Sequence, residues 1–320
     1  MKAARAAAAA AALLLTAAVA GCTGSGSLAW SQGGSQQTSS GLPASLLQPG
    51  QGVPVGVYEE GFPRTPDLIA TFASATGVHP RLTEYYSGWN EQFRTSFADA
   101  SRNSGATMVV QLQPNNVPLT AITAGHWDAY LRGYAAEVKA YGHPVILSFG
   151  HEMNGTWYSW ASGHTTPAQF VAAWRHVVTI FRQQGATNVS WLWTVTAVGG
   201  SGMSGPGLGE WWPGAPWVSV VGVDGYYYRA SDTFSSVFEP ALEQIRAFTK
   251  APVIISEVGI GPNSNRESQI RALFAGVKAS RISAVIWFDA DQHDGIYHQD
   301  WQLEGHPAAL SAFRAAAAAR

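Results

Sequence analysis

Two glutamates follow short apolar runs that are typical of buried strands. Glu152 comes three residues after the run Val145–Phe149, and Glu257 directly follows the run Val253–Ser256. An unpaired carboxylate is costly at a strand end that loops cover, so acidic residues there are more often functional than structural. A buried ion pair with an arginine is the structural alternative for either glutamate alone, but it is a poor explanation for both together.

Two carboxyl groups that face each other across a pocket can hydrolyse a glycosidic bond. One, held protonated by its surroundings, donates a proton to the leaving oxygen, and the other, held ionised, attacks the anomeric carbon. The first then removes a proton from the water molecule that releases the sugar. This chemistry needs neither a metal ion nor an organic cofactor, so the sequence predicts no cofactor.

The elements that must position these residues alternate along the chain. Runs rich in β-branched residues predict eight strands, separated by stretches with helical spacing of apolar residues. The predicted strands are Val53–Tyr58, Arg81–Tyr86, Thr107–Leu112, Val145–Phe149, Val189–Thr194, Val218–Val223, Val253–Ser256 and Ala284–Phe288. The predicted helices are Pro66–Ala75, Ser96–Ser104, His126–Tyr141, Pro167–Gln184, Phe234–Thr249, Arg266–Ala279 and Pro307–Ala319.

Eight strand–helix units in residues 51–320 predict a single (β/α)₈ barrel domain. A doubly wound open sheet is the competing α/β fold, but no glycine-rich phosphate turn follows the first strand, where Tyr58–Gly61 stands instead. Barrel enzymes place their chemistry at the carboxyl ends of the strands. The barrel therefore brings Glu152 and Glu257 to one face.

The amino-acid composition argues against some classes of binding partner and favours others. The chain has 19 basic and 21 acidic residues and a net charge of −2, so no basic surplus is present to bind nucleic acid. Its 13 Trp and 11 Tyr with 12% charged residues suit a flat, uncharged, polar ligand such as a sugar, or alternatively a Trp-rich core. A polysaccharide substrate and a monomeric state are expected.

The N-terminal residues predict export. Lys2 and Arg5 precede an apolar run and then Gly21 and Cys22, as in a secretory signal that is too short to span a membrane comfortably. Residues 19–22 resemble a bacterial lipobox, which implies acylation of Cys22, the sole cysteine, and a lipid-anchored protein at the cell surface. Residues 1–22 are thus the predicted lipoprotein signal, and an ordinary signal cleaved near an Ala-x-Ala site is the alternative. Residues 23–50, rich in Ser, Gly and Gln, predict a flexible linker.

A five-residue motif carries a resemblance to a known family. The run His151–Gly155 with the aromatic residues Trp157, Tyr158 and Trp160 resembles the signature of glycoside hydrolase family 26, retaining (β/α)₈ enzymes known chiefly as endo-β-1,4-mannanases. Residues 211–214, 223–226 and 256–259 follow in the order expected for that family. The resemblance implies cleavage of β-1,4-mannan. The same family also contains enzymes that act on mixed-linkage β-glucan or β-1,3-xylan, which remain alternatives.

The resemblance also implies residue roles. Glu152 would be the general acid/base and Glu257 the nucleophile. His151 would contact the sugar at the cleavage point, Tyr226 would donate a hydrogen bond to the nucleophile, and Trp287 would be the stacking floor of the −1 subsite.

The residues themselves leave alternatives open. His151 and Trp287 could each belong to the core, and Asp224 could either fix a loop or contact substrate. Further stacking candidates in flanking subsites are Trp89, Trp157, Trp160, Trp211 and Trp212. The stretch Trp193–Val198 lacks an Asn or Pro that such barrels often carry, which predicts an altered cleft wall and bears on the substrate.

The loop Asp289–Gly295 has acidic spacing that partly mimics a calcium loop. Its glycine comes one place late and no closing glutamate follows, so a polar loop lining the cleft is expected and no metal site. One function of a different class remains possible, which is an inactive barrel that binds glycans at the cell surface.

Overall fold

The computed structural model describes residues 42–43, 46, 52–197, 206–292 and 299–319. Eight parallel strands close into a barrel in chain order, β1 to β8, with β8 paired to β1. The strands are β1 (Val55–Glu59), β2 (Leu82–Gly88), β3 (Thr107–Gln113), β4 (Val145–Phe149), β5 (Val189–Thr196), β6 (Val220–Tyr227), β7 (Val253–Ile260) and β8 (Val285–Asp289), and β9 (Asp291–Gln292) pairs with β10 (Gln299–Asp300) beyond the barrel. The predicted (β/α)₈ fold is confirmed.

Helices connect the strands and surround the barrel. They are α1 (Leu68–Thr76), α2 (Thr95–Asn103), α3 (Leu119–Thr123), α4 (Asp128–Tyr141), α5 (Pro167–Gln184), α6 (Phe234–Phe248), α7 (Arg266–Ala279) and α8 (Pro307–Ala318). Short local signals set the ends of α5. Thr166 and Gln169 form a capping box before it, and Gly185 ends it at φ 75°. The spacing of apolar residues did not predict α3, because this helix has only five residues.

The inside of the barrel is built in layers. Alternate residues of each strand point inward, and the lowest layer is apolar. It contains Leu82, Val109, Ile146, Leu192, Val220, Ile254 and Ile286. The next layer is polar, where Gln111 Nε2 donates to Glu84 Oε1 at 2.7 Å and Ser148 contacts Thr194 at 3.4 Å. The apolar layer therefore seals the bottom, and polar groups face the carboxyl ends of the strands.

The pairing of β7 with β6 is interrupted by a β-bulge. Val223 pairs with Ile255, but the next residue, Asp224, pairs with Glu257, so Ser256 is the extra residue. Bulges of this kind re-aim side chains beside active sites. Here the bulge turns Glu257 toward the barrel mouth. The strand also continues beyond the predicted end to Ile260.

The barrel domain takes in residues that were predicted to be linker. Leu42 and Leu46 are buried and belong to the same apolar cluster as the lowest barrel layer. The predicted linker, residues 23–50, is therefore wrong at Leu42 and Leu46, and apart from Pro43 its other residues lie outside the described ranges. Cys22 and the predicted signal lie outside the described residues. No helix within the described ranges is long and apolar enough to cross a membrane.

Candidate active site

Glu152 lies in a tightly held loop after β4. Its φ of 52° is in the left-handed region, which non-glycine residues seldom adopt and which clusters at functional sites. The backbone N–H of Glu152 donates to Thr194 O at 2.9 Å. Asn154 exchanges two 2.9 Å hydrogen bonds with the backbone of Thr196, donating to its carbonyl and accepting from its N–H. The His151–Gly155 motif is thus fastened to β5, and this fixes the Glu152 backbone.

The Glu152 side chain is held as a neutral acid. It is buried, and Trp157 Nε1 donates to its Oε2 at 2.8 Å. Burial, followed by the negative charge of Glu257, raises the pKa of Glu152 to about 8, and the hydrogen bond from Trp157 partly opposes this rise. Glu152 therefore keeps its proton at neutral pH, as a general acid must.

Glu257 is buried in a different environment. Tyr86 donates a hydrogen bond to its Oε1, and Tyr226 donates to its Oε2 at 2.5 Å. Burial raises the pKa of Glu257, while the hydrogen bonds from Tyr226 and Tyr86 lower it. Donors favour the ionised form of a carboxyl group. Glu257 is therefore the member of the pair that carries the charge.

His151 is almost entirely enclosed. Its Nε2 lies 3.1 Å from the Tyr158 hydroxyl, and its ring is 4.8 Å from the Tyr158 ring. Burial lowers the pKa of His151 to about 3, so the imidazole is neutral. His151 Nδ1 is also buried and has no hydrogen-bond partner among the described residues.

The prediction for Trp287 is wrong. Its side chain is fully buried, and its ring packs at 5.3 Å against Phe313 of α8, outside the barrel. Side chains alternate along a strand, so the next residue, Phe288, points inward. Phe288 stacks on Tyr58 at 4.5 Å and meets Tyr226 edge-on at 5.7 Å. Phe288 is therefore the inward aromatic residue that β8 contributes.

The other aromatic candidates divide between cleft and core. Trp157 is 56% exposed beside Glu152 and can stack on a ligand. Trp89 is the opposite case, because its ring packs among Trp127, Tyr130 and Phe149 between helices and strands. Trp160 and Trp211 are fully buried, and Trp212 packs against Trp193 and Phe248. Predictions of substrate stacking by Trp160 and Trp211 are therefore wrong, whereas stacking by the partly buried Trp89 stays a prediction.

Two more carboxyl groups lie within the barrel beneath the pair. Asp224 is fully buried and accepts a 2.5 Å hydrogen bond from Ser256 Oγ. Glu84 is also fully buried, with Gln111 as its partner. Burial raises the pKa of both groups well above the ordinary range, and the charge of Glu257 adds to this rise. Asp224 does not line the open cleft.

The loop predicted at Asp289–Gly295 is described from Asp289 to Gln292. Asp289 Oδ1 accepts a hydrogen bond from the backbone of Leu303 at 2.7 Å, and Asp289 pairs in register with Glu59 of β1. His293 and Asp294 lie outside the described residues. Among the residues that are described, no group of three or more His, Cys, Asp or Glu side chains could hold a metal ion.

Sequence reasoning missed Tyr86 and Phe288, and it named Tyr158 in the motif without giving it a role. Tyr86 follows Leu82 and Glu84 at two-residue spacing, so the alternation rule places all three on one face of β2. That rule does not say which face is inward, because the partner strands fix it. Trp301 was also missed, and it lies 4.9 Å from the Tyr226 ring.

Comparison with known proteins finds a matching family and a curated relative. Residues 129–304 match the model of glycosyl hydrolase family 26. The chain is 30% identical over 289 residues to Endoglucanase H of Acetivibrio thermocellus, covering 85% of this chain. It spans about a third of that relative's length, or 31%.

Solved structures share the fold. A Cellulomonas fimi endo-β-1,4-mannanase double mutant superposes with a TM-score of 0.65 at 19% identity, covering 84% of this chain and 71% of that one. The family 26 domain of a Prevotella bryantii endo-β-mannanase/endo-β-glucanase gives 0.61 at 14% identity, covering 87% and 94%.

Proposed function

The chain belongs to glycosyl hydrolase family 26, and we propose that it cleaves the backbone of a β-linked polysaccharide internally with retention of anomeric configuration. The difference between the two buried glutamates carries the proposal. Glu152 responds to the charge of Glu257 and keeps its proton, whereas Glu257 is surrounded by hydroxyl donors. A protonated acid facing an ionised nucleophile is the arrangement that a double displacement requires.

The first step forms a covalent sugar–enzyme ester. One oxygen of Glu257 donates an electron pair to the anomeric carbon while the bond to the leaving oxygen breaks. Glu152 gives its proton to that oxygen and becomes a carboxylate. Trp157 stabilises this new charge, because its indole N–H already donates to Glu152 Oε2.

The second step releases the sugar. Glu152, now ionised, removes a proton from a water molecule, and the oxygen of that water attacks the anomeric carbon. The bond to Glu257 breaks, and the electron pair returns to the carboxylate. Tyr86 and Tyr226 receive this returning charge as hydrogen-bond donors, so they assist departure of Glu257.

The first candidate substrate is β-1,4-mannan. The residues from His151 to Trp160 follow the mannanase pattern, and the Cellulomonas fimi protein that shares the fold is named an endo-β-1,4-mannanase. A site built around the axial C2 hydroxyl of mannose can discriminate strongly, because the wrong epimer leaves a buried polar group unpaired.

β-Glucan is a second candidate. The relative with 30% identity is named an endoglucanase. In addition, the stretch Trp193–Val198 lacks the Asn or Pro that such barrels often carry, which predicts an altered cleft wall.

Hydrolysis of a polysaccharide panel tests the proposal. Reducing ends released from β-1,4-mannan, mixed-linkage β-glucan and β-1,3-xylan should show activity that Glu257→Ala abolishes. Glu152→Ala should retain turnover of aryl glycosides with good leaving groups. Glu239→Ala, at an exposed glutamate of α6, is the matched control and should remain active. A clear preference for β-glucan would make β-glucan the proposed substrate in place of mannan. Binding of a polysaccharide without hydrolysis of any would favour the glycan-binding alternative.

We further propose that Cys22 is lipidated and anchors the barrel at the cell surface. The support is the position of the sole cysteine after Gly21 in the N-terminal segment. The intact mass of protein extracted from membranes should exceed the polypeptide mass from Cys22 onward by acyl chains. An unmodified chain that starts elsewhere would contradict lipidation and leave the enzymatic proposal unaffected.

A further inference from the structure

Asp224 lies against Glu257 because of the bulge in β7. Asp224 faces Glu257 in register, and the extra residue Ser256 donates to Asp224 Oδ1 at 2.5 Å. The second oxygen, Oδ2, is buried and has no hydrogen-bond donor. The Asp224 carboxyl group therefore lies beside Glu257, and each group acts on the pKa of the other. Two neighbouring buried carboxyl groups are only acceptors when both are ionised, so a proton on one of them lets it donate to the other.

No positively charged side chain of the described ranges compensates a charge on Asp224. Its side chain is fully buried, and the described residues contain no ion pair between Asp224 and a cationic group. The titratable groups whose charges act on it or respond to it are Glu84 and Tyr86 on β2, Glu152 and Tyr158 after β4, Tyr226 on β6 and Glu257 on β7. All of these are neutral or negative. Burial and the charge of Glu257 accordingly raise the pKa of Asp224 well above its usual range.

We propose that Asp224 remains a protonated carboxylic acid and donates a hydrogen bond from Oδ2 to the carboxylate of Glu257. Ser256 orients it by donating to Oδ1, which leaves Oδ2 as the oxygen that bears the proton. The inference rests on the proposed function in so far as Glu257 is the nucleophile. Asp224 is thus a positioning residue, not a substrate contact.

A neutral acid has a specific advantage at this position. It supplies Glu257 with a third donor, beside Tyr86 and Tyr226, without adding a negative charge. An ionised Asp224 would repel the charge on Glu257 and hold that glutamate protonated, which would remove its nucleophilicity. The donor also assists return of the electron pair to Glu257 when the ester breaks.

Two substitutions distinguish a neutral from an ionised Asp224. Asp224→Asn keeps a donor toward Glu257 and an acceptor toward Ser256, so the acid limb of the kcat/KM pH profile should stay at its midpoint even if the rate falls. Asp224→Ala removes the donor, so that midpoint should rise by about one pH unit. If Asp224 is ionised, Asp224→Asn removes a negative charge and the midpoint should fall by about one unit or more. That fall would overturn the proposal.

Infrared spectroscopy can show the protonation state of Asp224 directly. It requires neither enzymatic activity nor the Asp224→Ala variant. The difference spectrum between the natural protein and Asp224→Asn at pH 7 should contain the C=O band of a protonated carboxyl group. A carboxylate band in its place would overturn the proposal. If no polysaccharide is hydrolysed, the proposed function fails while this spectrum still decides the state of Asp224.

Discussion

At the scale of single residues, hydrogen-bond donors give two chemically identical side chains different roles. Both glutamates are buried, which alone raises the pKa of each. The difference comes from their partners, which are the indole of Trp157 for Glu152 and two tyrosine hydroxyls for Glu257. Activity should therefore fall at low pH as Glu257 gains a proton and at high pH as Glu152 loses one.

Trp157→Phe tests the partner of the acid. The hydrogen bond from Trp157 favours the ionised form of Glu152, so its removal should raise the pKa of Glu152 above about 8. The alkaline limb of the kcat/KM pH profile should then move upward by about one pH unit. Trp89→Phe, in the aromatic cluster away from Glu152, is the control and should leave that midpoint in place. A downward or absent shift in Trp157→Phe would contradict the assigned role.

The sequence predicted some of these residues better than others. Glu152 and Glu257 could be predicted because each follows a recognisable strand, and barrel strands deliver their ends to one face. Trp287 and Phe288 could not be assigned, since alternation shows that they face opposite ways but not which one is inward. That choice is made by the register of β8 against β1 and β7, which depends on contacts between residues far apart in the chain.

At the scale of elements, close packing of β5, β6 and β7 holds the site together. Gly222 of β6 has no room for a side chain, because a Cβ there would contact Ser256 and lie 2.8 Å from Thr194 Oγ1. Ser256 is the residue that orients Asp224, so this glycine links strand packing to the nucleophile.

Gly222→Ala should therefore destabilise the fold and disturb the site. Overpacking of this kind typically costs about 1–3 kcal/mol, which urea unfolding can measure, and activity should fall with it. Gly133→Ala is the matched control, since Gly133 is exposed within α4 and a Cβ there meets nothing within 4 Å. That variant should be more stable by about 0.5–1 kcal/mol. Equal stability of Gly222→Ala and the natural protein would contradict the packing argument.

The elements themselves were largely predictable. All eight strands and the seven longer helices follow from apolar periodicity and from turn and cap residues such as Thr166 and Gly185. The β7 bulge could not be predicted, because nothing local marks Ser256 as the extra residue. The burial of Leu42 and Leu46 was missed because the segment around them is short and rich in Ser, Gly and Gln, with too few apolar residues to predict an element.

At the scale of the whole molecule, the described barrel carries an excess of buried and half-buried acids that prefer to be neutral. The half-buried Glu59 is an example outside the catalytic pair. Burial, followed by the charges of Asp289 and Glu304, raises the pKa of Glu59 to about 9. Burial raises the pKa of Asp289 to about 6. Glu84, Glu152 and Asp224 shift in the same direction.

Stability should consequently fall as the pH rises. Each of these groups keeps its proton in the folded state at a pH where the unfolded chain has released it, so the folded state binds more protons. Their contribution is fully present below the unfolded pKa, near 4.5 for Glu59, and is lost as the pH rises toward about 9. The Tm should therefore decrease from pH 5 to pH 9. Glu59→Gln, which cannot ionise, should make this decrease smaller, and a Tm that rises over the interval would contradict the predicted excess of neutral acids.

Trapping of the covalent intermediate is the sharpest test of the two-glutamate mechanism. Glu152→Ala, incubated with an aryl glycoside that has a good leaving group, should form the sugar ester on Glu257 and hydrolyse it slowly, because the base for the second step is missing. Peptide mapping by mass spectrometry should then place one added glycosyl unit on Glu257. Turnover without any adduct, or an adduct on another residue, would contradict the assignment of Glu257 as the nucleophile of a double displacement.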